Sequence, residues 1–154
     1  MLRGEYGQAR LYLQMNIDNL EKLGNRVGVL WGRARLGDVA LREGSVAEAH
    51  QVLVETIKNF YITGNKNGLA FAVDRMASLY VTLDKPDVAA RLIGWSDATR
   101  KEIGDPRPRI EQADLDRGIA LIRAKIGANA YEAAYNTGRA LPLDDAVAFA
   151  SGVK

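Results

Sequence analysis

Apolar residues recur at every third or fourth position along most of the chain. Ala9, Leu13, Ile17 and Leu20 form one stripe; Val46, Ala49, Leu53, Ile57 and Phe60 form a second; Leu69, Val73, Met76, Ala77 and Tyr80 form a third. That spacing gathers them on one face of a helix. No segment sustains an alternation of period two, so no sheet is predicted. The spacing predicts helices over about residues 6–23, 26–43, 46–63, 66–83, 86–103 and 110–126. Two shorter helices follow, over about 129–137 and 142–151, split at Gly138.

The punctuation between these helices is regular. Gly24, Gly64 and Gly104 stand 40 residues apart, as do Ala9, Ala49 and Ala89, and Leu13, Leu53 and Ile93. Glycine after a helix takes the left-handed cap at least cost. Asn25 and Asn65 follow two of these glycines and are placed to cap the next helix. Ser45 with Glu48 reads as a capping box. Pro86 suits a first helical position. Gly37 lies inside a helix and marks a close approach by another. Asp105-Pro106-Arg107-Pro108 cannot be helical throughout and interrupts the pattern. The expected division is therefore 1–104, helical repeats of period 40, and 105–154, a C-terminal helical extension or cap.

Two helices in each 40-residue unit predict an all-α chain: a right-handed α-α solenoid of antiparallel helix pairs. Leu36-Gly37, Ala40, Ala49 and Leu53, and then Met76-Ala77, Tyr80, Ala89 and Ile93, resemble successive tetratricopeptide repeats. Arg33 and Val73 stand where that family carries a larger early residue. The stretches Arg91–Ser96, Glu102–Pro106, Asn136–Leu141 and Asp144–Ala148 resemble the C-terminal tetratricopeptide arm of bacterial multidomain signalling ATPases and LuxR-type transcriptional regulators. The resemblance implies a non-catalytic protein–protein interaction module, the regulatory arm or a fragment of such a regulator. The alternative it implies is an arm that senses a small-molecule effector.

On the same resemblance Trp31, Asp38 and Arg42 project into a concave groove, with Phe71, Asp74, Arg75 and Ser78 from the next unit. A protein or peptide partner is expected there. A core role is the simpler reading of Trp31 and Trp95. Ala34, Asp38 and Arg42, with Asp74, Ser78 and Thr82, are not the carboxylate clamp of tetratricopeptide co-chaperones, which argues against a chaperone-tail ligand. Ala9 and Leu13 align with Ala49 and Leu53, so the first helix is the second member of a unit. Either the chain belongs to a longer array or the open first helix supports a homo-oligomer.

Composition narrows the chemistry. The 154 residues are 47% hydrophobic and 26% charged, an ordinary globular balance. With 21 Lys+Arg against 19 Asp+Glu, interleaved, the net charge of +2 argues against a nucleic-acid partner. There is no cysteine, no apolar run long enough for a membrane helix and no signal peptide, so a cytoplasmic location is expected. His50 is the only histidine and lies off the apolar stripe. Neither a phosphate loop nor a nucleophile elbow occurs, and no cofactor or enzymatic activity is expected. Asp144-Asp145 suits a helix N-terminus. Arg100, Lys101, Arg107 and Arg109 are the best candidates for a phosphate patch, but Glu102, Asp105 and Glu111 dilute them.

Overall fold

Helices form where the apolar spacing puts them. The computed structural model of the chain describes residues 3–152. Among the described residues there are eight helices: α1 (Arg3–Lys22), α2 (Arg26–Glu43), α3 (Val46–Ile62), α4 (Lys66–Thr82), α5 (Pro86–Ile103), α6 (Arg109–Ile126), α7 (Ala128–Arg139) and α8 (Leu143–Ala150). No helix among them is long and apolar enough to cross a membrane.

The first four junctions share one chemistry. At each, two amides turn back onto the last carbonyls of the helix, as in Asn65 N–H to Phe60 O at 2.9 Å and Lys85 N–H to Tyr80 O at 2.9 Å. Gly24, Gly44 and Gly64 hold the left-handed conformation there, and Asp84, at φ 58°, does the same without the glycine. Asn25 and Asn65 cap as expected, their side-chain oxygens accepting from Gly28 and Gly68 amides at 2.9 Å. The Ser45 capping box does not form: the Ser45 side chain makes no cap bond. Its partner Glu48 instead accepts from Arg10 of α1 at 2.8 Å, a charge-assisted bond stronger than the neutral cap.

From α1 to α5 each helix packs on the next. Leu53, Ile57, Phe60, Leu69, Met76, Leu79, Leu92 and Ile93 are fully enclosed between them. Gly37 lies against Leu53 and Val52, the close approach its position suggested.

The open right-handed solenoid does not follow. In such an array each pair touches only its neighbours along the chain. Here the most extensive contact made by α5 is with α7, and α8 returns to α3, α4 and α5. The chain closes into a globular eight-helix bundle, and the tetratricopeptide-like assignment, with its link to regulator arms, is withdrawn. The physical cause is a pair of glycines. A Cβ on Gly94 would lie 2.1 Å from the Tyr135 carbonyl oxygen, and one on Gly138 would lie 1.8 Å from that of Arg91. Without side chains there, the backbones of α5 and α7 come into direct contact. Gly138, expected to split two short helices, is inside α7 and part of this seam.

The helix α6 is laid along α4. Arg107, just before it, reaches Asp74; Gly118 faces Val81; and Lys125 pairs with Asp84 at 3.2 Å. It therefore runs in the same direction as α4, across the side where a groove was expected.

Candidate functional site

Two neighbouring polar clusters gather the residues expected to bind a partner. The first spans α2 and α4. Trp31 packs edge-on against Phe60 and tilted against Phe71, with ring centroids 5.4 Å apart in both pairs. The Arg35 guanidinium sits 5.9 Å from the Trp31 ring and 5.4 Å from the Phe71 ring, and that of Arg75 lies 5.8 Å from Phe71. Such stacking contributes about 0.5–1 kcal/mol at exposed positions and more when dry. Asp38 accepts from Arg75 at 3.3 Å and from Arg42 at 3.2 Å. Arg42 reaches on to Asp114 of α6 at 2.6 Å. The carboxylate that Arg42 offers to hold is thus already supplied by the chain itself.

The second cluster centres on Asp74. Its side chain is 2% exposed, between Arg100 at 6% and Arg107 at 5%. Arg107 donates from Nε at 2.8 Å and from Nη2 at 3.0 Å, the two-pronged geometry that suits a guanidinium and a carboxylate. Arg100 adds bonds of 3.3 and 3.1 Å. Arg107 also reaches Asp97, Gln112 and the Ser96 hydroxyl. Arg100 meets both the carbonyl and the carboxylate of Asp105. Burial alone would lower the pKa of Arg107; hydrogen bonding and charge from Asp74, then Asp97, reverse this and hold it above the ordinary arginine value.

Asp97 joins this cluster to α7. Tyr135 donates to it at 2.6 Å. Burial first, and then the bond to Asp97, raises the Tyr135 phenol. Burial, followed by the Asp97 charge, pushes Tyr131 up to about 12. Each phenol is therefore held neutral and able to donate well above physiological pH.

Beside the cluster is a surface cleft of about 380 Å³, lined by Asp97, Arg100, Lys101, Pro106, Arg107 and Gln112. Two of the arginines expected to form a basic surface, Arg100 and Arg107, are turned inward onto Asp74 and Asp97. Their charges are met by carboxylates within the fold, and only Lys101 and Arg109 of that group remain on the surface. The cleft is thus walled by neutralised pairs, with Lys101 at its exposed edge.

The structure links Trp31, Phe71, Arg75, Asp38 and Arg42 in one chain of contacts, with Phe71 and Arg75 buried. Asp74 is sealed beneath α5 and the segment before α6. Ser78 is half-buried and bonds back to the Asp74 carbonyl at 3.4 Å. Trp95 is a core residue. Among the described residues no group of three or more His, Cys, Asp or Glu side chains gathers to hold a metal ion.

Sequence reasoning did not find Arg107 as the partner of Asp74. The signal was its place in Asp105-Pro106-Arg107-Pro108, a stiff segment that aims one side chain. The register marked the first helix as open, but not the residues that make its outer face apolar. Leu11 is 65% exposed, Tyr12 73% and Met15 58%, and the extensive packing of α1 is on α2. The three are contiguous on the helix surface, at i, i+1 and i+4. Comparison with family models, with curated proteins and with solved structures finds no match to this chain.

Proposed function

We propose that the chain is a non-catalytic protein–protein interaction module and that the outer face of α1 is its docking surface. The observation that carries this is the set of large apolar side chains there. A single exposed leucine is ordinary, whereas adjoining exposed Leu11, Tyr12 and Met15 form a patch that water does not favour.

The helical register sharpens the point. Forty residues on, α3 carries Gln51, Val52 and Glu55 at the same positions, with Gln51 and Glu55 exposed. Forty further, α5 carries Arg91, Leu92 and Trp95, with Leu92 and Trp95 buried beneath neighbouring helices. An exposed outer face is polar in α3 and a covered one is apolar in α5. The α1 face has the composition of the covered kind.

A photo-cross-linking residue at position 12, in the cells that naturally make the chain, tests this reading. Protein adducts are expected from position 12 and not from position 121, where Leu121 is exposed on α6. Equal yields from the two positions would overturn the assignment of the surface.

A further inference from the structure

The outer face of α1 has an order along the helix as well as a composition. Glu5, Gln8, Tyr12, Met15, Asn19 and Lys22 follow one another at spacings of three and four, and all six are exposed. This is the spacing at which one helix packs lengthwise on another, with apolar Tyr12 and Met15 at its centre and polar residues toward both ends. Reversed end for end, the seam matches itself: Glu5 falls opposite Lys22, Gln8 opposite Asn19, and Tyr12 opposite Met15. Charge meets opposite charge, amide meets amide, and an aromatic ring meets a thioether, a favourable contact.

We infer that the partner of this face is a second copy of the chain, its α1 packed antiparallel on the first. The inference rests on the docking surface proposed above and names its occupant. A two-fold interface requires that if one residue touches another, the reciprocal contact exists. The seam satisfies this with two Tyr12–Met15 contacts at the centre and one Glu5–Lys22 pair at each end. Glu5 already takes part in an interaction within its own chain, and the pairing uses only its charge. A parallel arrangement would place Glu5 on Glu5 and Lys22 on Lys22, which like charges oppose. Leu11 flanks the centre and adds apolar area. A helix of 20 residues spans about 30 Å, fewer than three heptads, so the association is weak and concentration-dependent.

Sedimentation equilibrium on the 154-residue chain tests it over a hundredfold range of concentration reaching the high micromolar. The unaltered chain is expected to pass from monomer to dimer. Tyr12→Glu should weaken dimerisation at least tenfold with an unchanged thermal midpoint, since the side chain is exposed. Glu5→Lys or Lys22→Glu alone should weaken it several-fold, and the double variant should restore it. A monomer throughout, or a dimer indifferent to Tyr12→Glu, would overturn the inference. Failure of the double variant to recover would overturn the antiparallel order. A strict monomer whose position 12 still cross-links to a different protein would end self-pairing and leave the docking surface standing; no adduct and no dimer would end both.

Discussion

The helices α1 and α5 stand in the same register of the repeat and have opposite surroundings. Ala9 matches Ala89 and Leu13 matches Ile93, so both helices turn the same small-and-large stripe inward. Around α5 there are neighbours on several sides: α4, α6, α7 and α8. Its polar residues are drawn into a buried network, and its glycine lies on the backbone of α7. Among the described residues α1 packs mainly on α2, and it reaches α3 through the surface pair Arg10–Glu48. A periodic stripe identifies a helix and its inner face. What lies on the other face depends on residues outside the period, and here those are Gly94 and Gly138.

The largest test of this contrast is a single methyl group. Gly94→Ala and Gly138→Ala put a carbon against backbone that cannot rotate away, so each is expected to cost about 3 kcal/mol or more, the upper range of overpacking. Gly7→Ala on α1 meets nothing within 4 Å and should stabilise by up to about 1 kcal/mol through helix propensity. Urea unfolding reads both. A Gly138→Ala protein as stable as the parent would mean that α5 and α7 are not in backbone contact.

The ion pairs should differ nearly as much. Asp74→Ala takes from two buried guanidinium groups the carboxylate they share, leaving each with a less buried one, and is expected to cost about 3 kcal/mol. Arg10 binds Glu43 and Glu48 at 2.6 and 2.8 Å, but with 30% of its side chain exposed. Arg10→Ala should therefore cost no more than about 1 kcal/mol. Equal losses would remove the distinction between a sealed and an open side.

Titration separates the two regions by pH. The raised phenols of Tyr131 and Tyr135 favour the protonated form in the folded chain. Their contribution is complete below the usual value of 10.0 and is lost as pH rises from there through the higher folded values, about 12 for Tyr131. Glu48 is lowered from 4.5, first by its hydrogen bond to Arg10. Its contribution is present above 4.5 and is lost as pH falls through the lower folded value. Thermal midpoints should fall above pH 10, less steeply in Tyr131→Phe. Near the acid limit Glu48→Gln should lose less stability than the parent chain. An alkaline limb unchanged by Tyr131→Phe would contradict the placing of that phenol.

The smallest expected difference lies in the caps. Asn65→Ala removes a formed bond and should cost about 1 kcal/mol; Ser45→Ala removes none and should cost less than about 0.5 kcal/mol.

The eight helices were legible because glycine, asparagine and proline mark their ends through local backbone chemistry. Closure of the bundle was not. Gly94 and Gly138 each follow an alanine four residues earlier, Ala90 and Ala134. That pairing of small residues signals close helix contact, but nothing local says that the two stripes meet each other. Of the expected partner-binding residues, Trp31, Asp38 and Arg42 line one side of α2 by helical spacing, while Phe71 and Arg75 of α4 are buried beneath them. Asp74 is hidden because a residue 33 positions further on, Arg107, comes to it. The capping box at Ser45 failed for a similar reason: Arg10, distant in sequence, took the glutamate.

The most direct test compares both sides in one experiment: native-state amide hydrogen exchange at a protein concentration low enough for the monomer. Amides of α5 and α7 are expected to exchange together, only on global unfolding, while those of α1 exchange through a smaller local opening. Raising the concentration should slow exchange in α1, and in α5 and α7 only as far as the dimer stabilises the whole fold. Exchange of α7 independently of α5, or α1 amides as protected as those of α5 in the monomer, would contradict a bundle sealed at α5 and open at α1.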